Sequence, residues 1–197
     1  MAKTRTTKTK ARDLWGIIGA RLEGIRQLLD DMDPAAGERL VQMLLDANRI
    51  FVAGKGRSGL VAECFAMRLM QMGFDCHVPG EATCPRIERG DLMVAISCSG
   101  TTMTTVTFAR ISHEAGAKVV VLTAVPDSPL AEAADHALLV PVTDRDVKRL
   151  YRYVLGPYNN TLFEEALLLY FDAVVYSILE RKGIPKRQLD RRHTNLE

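Results

Sequence analysis

The order of apolar and polar positions after residue 48 predicts a layered α/β fold. Short runs rich in Val, Ile and Leu predict buried strands, and apolar residues at three- or four-residue intervals predict helices. Strands that alternate with amphipathic helices are typical of a parallel sheet covered on both faces. The predicted strands are Arg49–Ala53, Asp75–Val78, Leu92–Ser97, Lys118–Thr123 and Ala137–Val142. The helices between them are predicted at Ser58–Met72 and Thr102–Ala115, with a short one after Pro129.

Helical spacing also precedes and follows this region. An apolar stripe predicts a helix from about Leu14 to Met32, and Asp33 with Pro34 supplies the N-cap and first-turn proline of a second helix. A long amphipathic helix is predicted from about Leu162 to Lys182. We therefore expect a three-layer αβα sandwich with a five-stranded parallel sheet of the flavodoxin-like type, N-terminal helices and a long C-terminal helix.

Length and charge limit the classes of protein that this chain could be. Its 197 residues suffice for one domain with a full core. Residues 1–12 contain five basic and no acidic side chains, which predicts a flexible basic arm before a single domain at 13–197. Without these five charges the formal net charge of +2 becomes −3, so we expect no nucleic-acid partner. The apolar runs are too short to cross a bilayer, so we expect a cytoplasmic protein with no membrane partner.

The four cysteines, Cys64, Cys76, Cys84 and Cys98, contain no CxxC pair. Their irregular spacing is typical neither of a zinc site nor of a redox motif. The sequence therefore predicts free thiols in a reducing compartment and no bound metal.

Two glycine- and hydroxyl-rich turns follow predicted strands and open predicted helices. The first turn is Gly54–Gly59 and the second is Ser97–Thr102. Turns after parallel strands lie at the carboxyl edge of the sheet, where open α/β folds bind ligands. We therefore expect both turns to face one ligand.

The second turn has the composition of a phosphate site. Hydroxyl groups come from Ser97, Ser99, Thr101 and Thr102, Gly100 permits close backbone approach, and the following helix offers unpaired N–H groups. Ser and Thr also cap helices without binding anything. Four hydroxyl residues in six positions exceed what capping needs, so we favour phosphate binding.

The first turn fits neither common nucleotide motif. Its glycines match GxGxxG, but the acidic residue expected at the end of the second strand is absent, because that strand ends at Pro79 and Gly80. Lys55 is not in the position that a Walker A loop requires. We therefore expect no nucleotide cofactor.

Together the two turns resemble the sugar isomerase (SIS) domain family and, within it, the 6-phospho-3-hexuloisomerases. The resemblance extends from about Leu28 to the C-terminus. Cys98 and Thr101 depart from the family pattern, which usually has Gly and Glu there. Further segments that resemble these isomerases are Ala66-Met67-Arg68-Leu69, Gly90-Asp91-Leu92, Asp127-Ser128-Pro129-Leu130-Ala131, Thr161-Leu162-Phe163-Glu164 and Arg192-His193-Thr194-Asn195-Leu196-Glu197.

The resemblance implies a reaction and the residues that perform it. The family moves a carbonyl from C3 to C2 of a hexulose 6-phosphate through a cis-enediol, a step of the ribulose monophosphate pathway, without a cofactor. It implies Glu164 as the base and His193, brought by the tail of a neighbouring subunit, as a proton shuttle, in a homo-oligomer that we expect to be a tetramer. Read alone, Glu164 could equally complement a helix dipole. The substrate-binding residues that we predict are Gly56, Arg57, Ser58, Glu81, Ser97, Ser99, Thr101 and Thr102.

Two other functions are compatible with these motifs. SIS isomerases also act on arabinose 5-phosphate or sedoheptulose 7-phosphate, and substrate profiling would distinguish these activities. SIS domains also serve as non-catalytic sugar-phosphate sensors. Ligand binding without any conversion would identify a sensor.

Overall fold

The structure, a computed structural model, describes residues 13–142 and 160–196. The predicted basic arm at residues 1–12 lies outside the described residues. The strands are β1 (Ile50–Ala53), β2 (Cys76–His77), β3 (Leu92–Ile96), β4 (Lys118–Thr123) and β5 (His136–Leu139). The helices are α1 (Leu14–Asp30), α2 (Pro34–Asp46), α3 (Arg57–Met72), α4 (Met103–Glu114), α5 (Pro129–Glu132), α6 (Asn160–Lys182) and α7 (Lys186–Arg192).

The five strands form one sheet in the order β2-β1-β3-β4-β5, and every neighbouring pair is parallel. This arrangement confirms the flavodoxin-like fold expected from the sequence. From β1 the chain moves outward to β2, and from β3 it moves to the opposite side toward β4. The order of strands therefore reverses between β1 and β3, the position at which open α/β sheets have a ligand-binding crevice at the carboxyl edge.

Helices cover both faces of the sheet because side chains alternate along each strand. Ile50 and Val52 of β1 belong to a core with residues of α1, α2, α3 and α6. Phe51 and Ala53 belong to a second core with residues of α4 and α5. The chain therefore forms the predicted three layers, with α3 and α4 on opposite sides of the crevice.

Helices α3 and α6 pack side by side with their N-termini at the same end. The rings of Phe65 in α3 and Phe171 in α6 stack with centroids 4.1 Å apart. Ser58 of α3 also donates a hydrogen bond to Glu164 of α6. Each of these two residues precedes its phenylalanine by seven positions, which is two helical turns. The aromatic stack thus fixes the register that brings Ser58 to Glu164.

Two details of the C-terminal region differ from the sequence prediction. Helix α6 begins at Asn160 rather than Leu162, so Glu164 lies at the start of its second turn. The predicted polar tail contains helix α7, in which Gln188 donates a hydrogen bond to the Met72 carbonyl at the end of α3. The sequence pattern does not predict this helix because its side chains are mostly polar and none of its residues is buried.

No helix within residues 13–142 and 160–196 has the length and apolar character needed to span a membrane.

The stacked phenylalanines predict a large loss of stability upon truncation. Phe171→Ala removes a ring that is 2% exposed, so we expect the free energy of unfolding to fall by about 3–5 kcal/mol. Urea denaturation measures this change. Glu63→Ala, on the exposed side of α3, is the control and should change stability by less than about 0.5 kcal/mol. Equal stability of the two variants would contradict the role given to the stack.

Candidate active site

The crevice between β1 and β3 is bordered by the two turns that the sequence singled out. Residues 54–56 connect β1 to α3, and residues 97–102 connect β3 to α4. Since β1 and β3 are paired in parallel, both turns leave the sheet at its carboxyl edge. The structure therefore brings the two predicted ligand-binding turns together.

The β1–α3 turn is shaped by glycines. Gly56 has a φ angle of +60°, a left-handed conformation that glycine adopts without steric cost. A Cβ atom on Gly54 would lie 2.6 Å from the Ser58 carbonyl oxygen, so a larger residue would push the first turn of α3 away. This close packing buries Ser58, which is only 7% exposed, and directs its hydroxyl toward α6.

The β3–α4 turn presents its hydroxyl groups in two bonded pairs. The hydroxyl oxygens of Ser97 and Thr102 are 3.0 Å apart, and those of Ser99 and Thr101 are also 3.0 Å apart. Ser97 is buried, whereas Thr101 is exposed at the mouth of the crevice. These paired hydroxyls can exchange their mutual bonds for bonds to an anion without leaving a buried group unsatisfied.

Gly100 holds the β3–α4 turn against the segment that follows β4. It has a φ angle of +63°, and an added Cβ would lie 2.1 Å from the hydroxyl oxygen of Ser128. Its carbonyl accepts a hydrogen bond of 3.0 Å from the Leu130 backbone. Thr123 donates a 3.3 Å bond to the Cys98 carbonyl, which fixes the other side of the turn. Thr123 and Ser128 were not among the predicted site residues, although both come at or after the end of β4 and so lie at the same sheet edge.

Glu164 lies beside these turns although it is distant from them in sequence. Glu164 is 8% exposed, and its Oε1 accepts a 3.0 Å hydrogen bond from the Ser58 hydroxyl. The Nε of Arg57 lies 3.9 Å from Oε2. Oε2 is buried and has no hydrogen-bond partner among the described residues. One carboxylate oxygen is therefore held in place while the other remains available.

The surroundings of Glu164 favour its protonated form. Burial raises the pKa of this carboxyl, and the bond from Ser58 and the charge of Arg57 oppose that shift only in part. Burial, with the added charge of Glu164, raises the pKa of the Cys98 thiol to about 12. Cys98 is therefore a neutral neighbour of the carboxylate, a proximity that sequence spacing does not reveal.

Two further predicted site residues, Glu81 and His193, are exposed. Glu81 is exposed in the loop after β2, one residue beyond Gly80. His193 is exposed and lines a groove of about 300 Å³ with Arg68 and Met72, at the C-terminal end of α3. Ser58 is at the opposite end of that helix, about 20 Å away at 1.5 Å per residue. Within one subunit the structure does not bring His193 to the carboxylate.

The fold and this site define a class of protein. A parallel sheet with a hydroxyl-rich crevice at its switch point and a buried carboxylate is typical of α/β proteins that bind phosphorylated small molecules. A profile of the SIS domain matches residues 43–155, more than half of the chain. The chain belongs to the SIS domain family, as the sequence motifs indicated.

Relatives with similar sequences carry a more specific name. A 3-hexulose-6-phosphate isomerase of Mycobacterium gastri is 38% identical over 166 residues, which cover 84% of this chain and 82% of the relative. A 3-hexulose-6-phosphate isomerase of Bacillus subtilis is 34% identical over 182 residues, which cover 89% of this chain and 98% of the relative. The crystal structure of a Methanococcus jannaschii protein, from which the function of 3-hexulose-6-phosphate isomerase was inferred, gives a TM-score of 0.77 at 28% identity and covers 93% of this chain and 98% of that one.

The raised pKa of Glu164 predicts a specific dependence of stability on pH. The folded state holds the proton of the Glu164 carboxyl more tightly than the unfolded chain does. Ionisation of Glu164 therefore costs stability as the pH rises above 4.5, the ordinary pKa of this carboxyl. Glu164→Gln removes that cost. We expect the melting temperature of the variant, relative to the wild type, to increase as pH rises above about 4.5.

Thermal unfolding of both proteins across this pH range measures the effect. Glu63→Gln, at an exposed position on α3, is the matched control and should follow the wild type throughout. A difference between Glu164→Gln and the wild type that stays constant with pH would contradict the raised pKa.

Proposed function

We propose that this protein interconverts D-arabino-3-hexulose 6-phosphate and D-fructose 6-phosphate. The observation that carries the proposal is the buried Glu164 carboxylate, whose Oε1 is held by Ser58 and whose Oε2 has no hydrogen-bond partner among the described residues. A base with one restrained and one available oxygen suits proton transfer between adjacent carbon atoms. The names of the relatives supply the substrate.

The hydroxyl-rich β3–α4 turn is the proposed phosphate site. Ser97, Ser99, Thr101 and Thr102 would donate hydrogen bonds to phosphate oxygens, and the N-terminus of α4 adds roughly half a positive charge. Gly100 allows the backbone to approach the ligand. With the phosphate held there, the sugar carbons would extend along the crevice toward α3 and α6.

The proposed chemistry needs one carboxyl group on one face of the sugar. Oε2 of Glu164 takes the proton from C2 of the 3-keto sugar while the C3 carbonyl oxygen gains a proton, which yields a cis-enediol. The carboxyl then returns its proton to C3 while the C2 hydroxyl loses one, which leaves the carbonyl at C2. Burial supports this cycle because it raises the pKa of Glu164 toward the pH at which the enzyme works.

We assign the exchange of protons between the two sugar oxygens to His193 of a neighbouring subunit. An imidazole can both donate and accept a proton near neutral pH. His193 lies near the C-terminal end of α3, too far from the Glu164 carboxylate of its own chain to serve it. Because His193 is exposed, it can reach the site of another subunit. Arg57 and Glu81 complete the proposed binding residues at the mouth of the crevice.

Exposed apolar side chains support a homo-oligomer, for which we propose a tetramer in the cytoplasm. Large exposed apolar areas on soluble proteins mark interaction surfaces. Exposed apolar side chains are most numerous here on α1, α3 and α6, and α3 and α6 also carry the proposed site. The residues concerned are Leu14, Trp15, Leu22, Leu60, Met67, Met70, Leu168, Leu169 and Tyr176. The free thiols of all four cysteines fit a reducing compartment.

An enzyme-coupled assay for fructose 6-phosphate formation tests the activity. We expect the wild type to convert the 3-hexulose 6-phosphate, and Glu164→Gln to lose at least about a hundredfold in kcat while it still binds the sugar phosphate. Glu165→Gln is the matched control, because Glu165 pairs with Arg21 at 2.6 Å instead of facing Ser58. It should retain activity.

Full activity of Glu164→Gln would contradict its role as the base. Conversion of arabinose 5-phosphate or sedoheptulose 7-phosphate instead would change the proposed substrate and leave the base in place. A rise in melting temperature with sugar phosphates and no conversion of any of them would replace the enzyme with a sensor.

Hybrid oligomers test whether the site contains residues of two subunits. Glu164→Gln and His193→Asn should each be nearly inactive alone. After the two variants are mixed, unfolded and refolded together, some sites contain an intact Glu164 and an intact His193, so activity should return. His113→Asn, a change in an exposed histidine of α4, is the control and should be active alone. No recovery in mixed oligomers would contradict the assignment of His193 to a neighbouring site.

A further inference from the structure

The ammonium group of Lys55 lies at the crevice between β1 and β3. Lys55 is exposed in the β1–α3 turn, and its Nζ is 5.9 Å from the ring centre of Phe108 in α4. A Cβ built on Gly80, in the loop after β2, would lie 3.8 Å from the same Nζ. The side chain thus extends from the β1–α3 turn to the α4 side of the crevice and passes close to the loop after β2.

The positive charge of Lys55 has no counterion in the described part of the chain. Lys55 forms neither an ion pair nor a hydrogen bond with residues 13–142 or 160–196, and its ammonium lies over the face of the Phe108 ring. Such a contact is weak at an exposed position compared with a charge-assisted hydrogen bond. Arg57, two residues later, instead directs its Nε toward Glu164 at 3.9 Å.

The β3–α4 turn, in contrast, supplies hydrogen-bond donors without a cation. Residues 97–102 contain four hydroxyl residues and no Lys or Arg. The N-terminus of α4 contributes only about half a positive charge, which leaves most of a phosphate dianion uncompensated. The flexible four-carbon stem of lysine can move its ammonium from the Phe108 ring to an anion bound at the start of the same helix.

We propose that Lys55 binds the phosphate group of the substrate and supplies the charge that the β3–α4 turn lacks. The Phe108 ring holds the ammonium beside the crevice until the ligand arrives. This inference rests on the proposed function for the identity of the ligand as a phosphorylated sugar. It adds to that function a binding residue from the opposite turn, so that both turns contact one phosphate.

Lys55→Met removes the charge and preserves the length of the stem. We expect the dissociation constant for inorganic phosphate, measured by calorimetry, and the KM for the sugar phosphate each to rise about tenfold or more. The effect on kcat should be below about twofold, because the phosphate contact is the same in the substrate and in the transition state. Lys55→Arg should recover most of the affinity.

The control is Lys182→Met, because Lys182 makes the same kind of contact elsewhere. Its Nζ lies 4.6 Å from the ring centre of Phe74, at the end of α6 away from Glu164. The phosphate affinity and the KM of Lys182→Met should equal those of the wild type. If Lys55→Met also matched the wild type in both, the Lys55 assignment would be overturned even in an active isomerase. If Lys55 were needed for phosphate binding but the wild type converted no sugar phosphate, the assignment would stand and the proposed isomerase function would fail.

Discussion

The site depends on the packing of α3 against α6. These helices are more than 80 residues apart in sequence. The stack of Phe65 on Phe171, with centroids 4.1 Å apart, aligns them with their N-termini together. Two turns earlier on each helix, the same register places the Ser58 hydroxyl 3.0 Å from a Glu164 carboxylate oxygen. A rotation or slip of either helix would separate this pair while leaving the sheet intact. The geometry of the carboxylate is thus set in the hydrophobic core rather than in the loops.

The same packing gives Glu164 properties that cost stability and suit its proposed role as a base. Burial raises the pKa of the carboxyl, and Oε2 lacks a hydrogen-bond partner among the described residues. A buried polar atom without a partner is unfavourable for folding, and such atoms are often found at functional sites. Across the crevice the proposed phosphate-binding turn packs through Gly100 against Ser128, so the two halves of the proposed site are held by separate contacts. This division suits a reaction in which one turn anchors the phosphate and a separate residue moves protons.

The sequence predicted what depends on local patterns and missed what depends on distant contacts. Strand β4 has the predicted bounds, and the two turns lie at one sheet edge, because periodicity and parallel topology determine both features. Glu164 could be selected only by resemblance, since no local signal reports that a residue 106 positions earlier will bond to it. Helix α7 was missed because its side chains are mostly polar. The position of Lys55 over Phe108 requires the strand order, which brings the β1–α3 turn beside α4.

The most direct test of this account is a crystal structure of Glu164→Gln bound to fructose 6-phosphate. The account predicts phosphate density among the hydroxyls of the 97–102 turn, with C2 and C3 of the sugar about 3–3.5 Å from the residue 164 side chain. A phosphate bound at this turn with the sugar pointing away from α6, or a ligand bound outside the crevice, would contradict it.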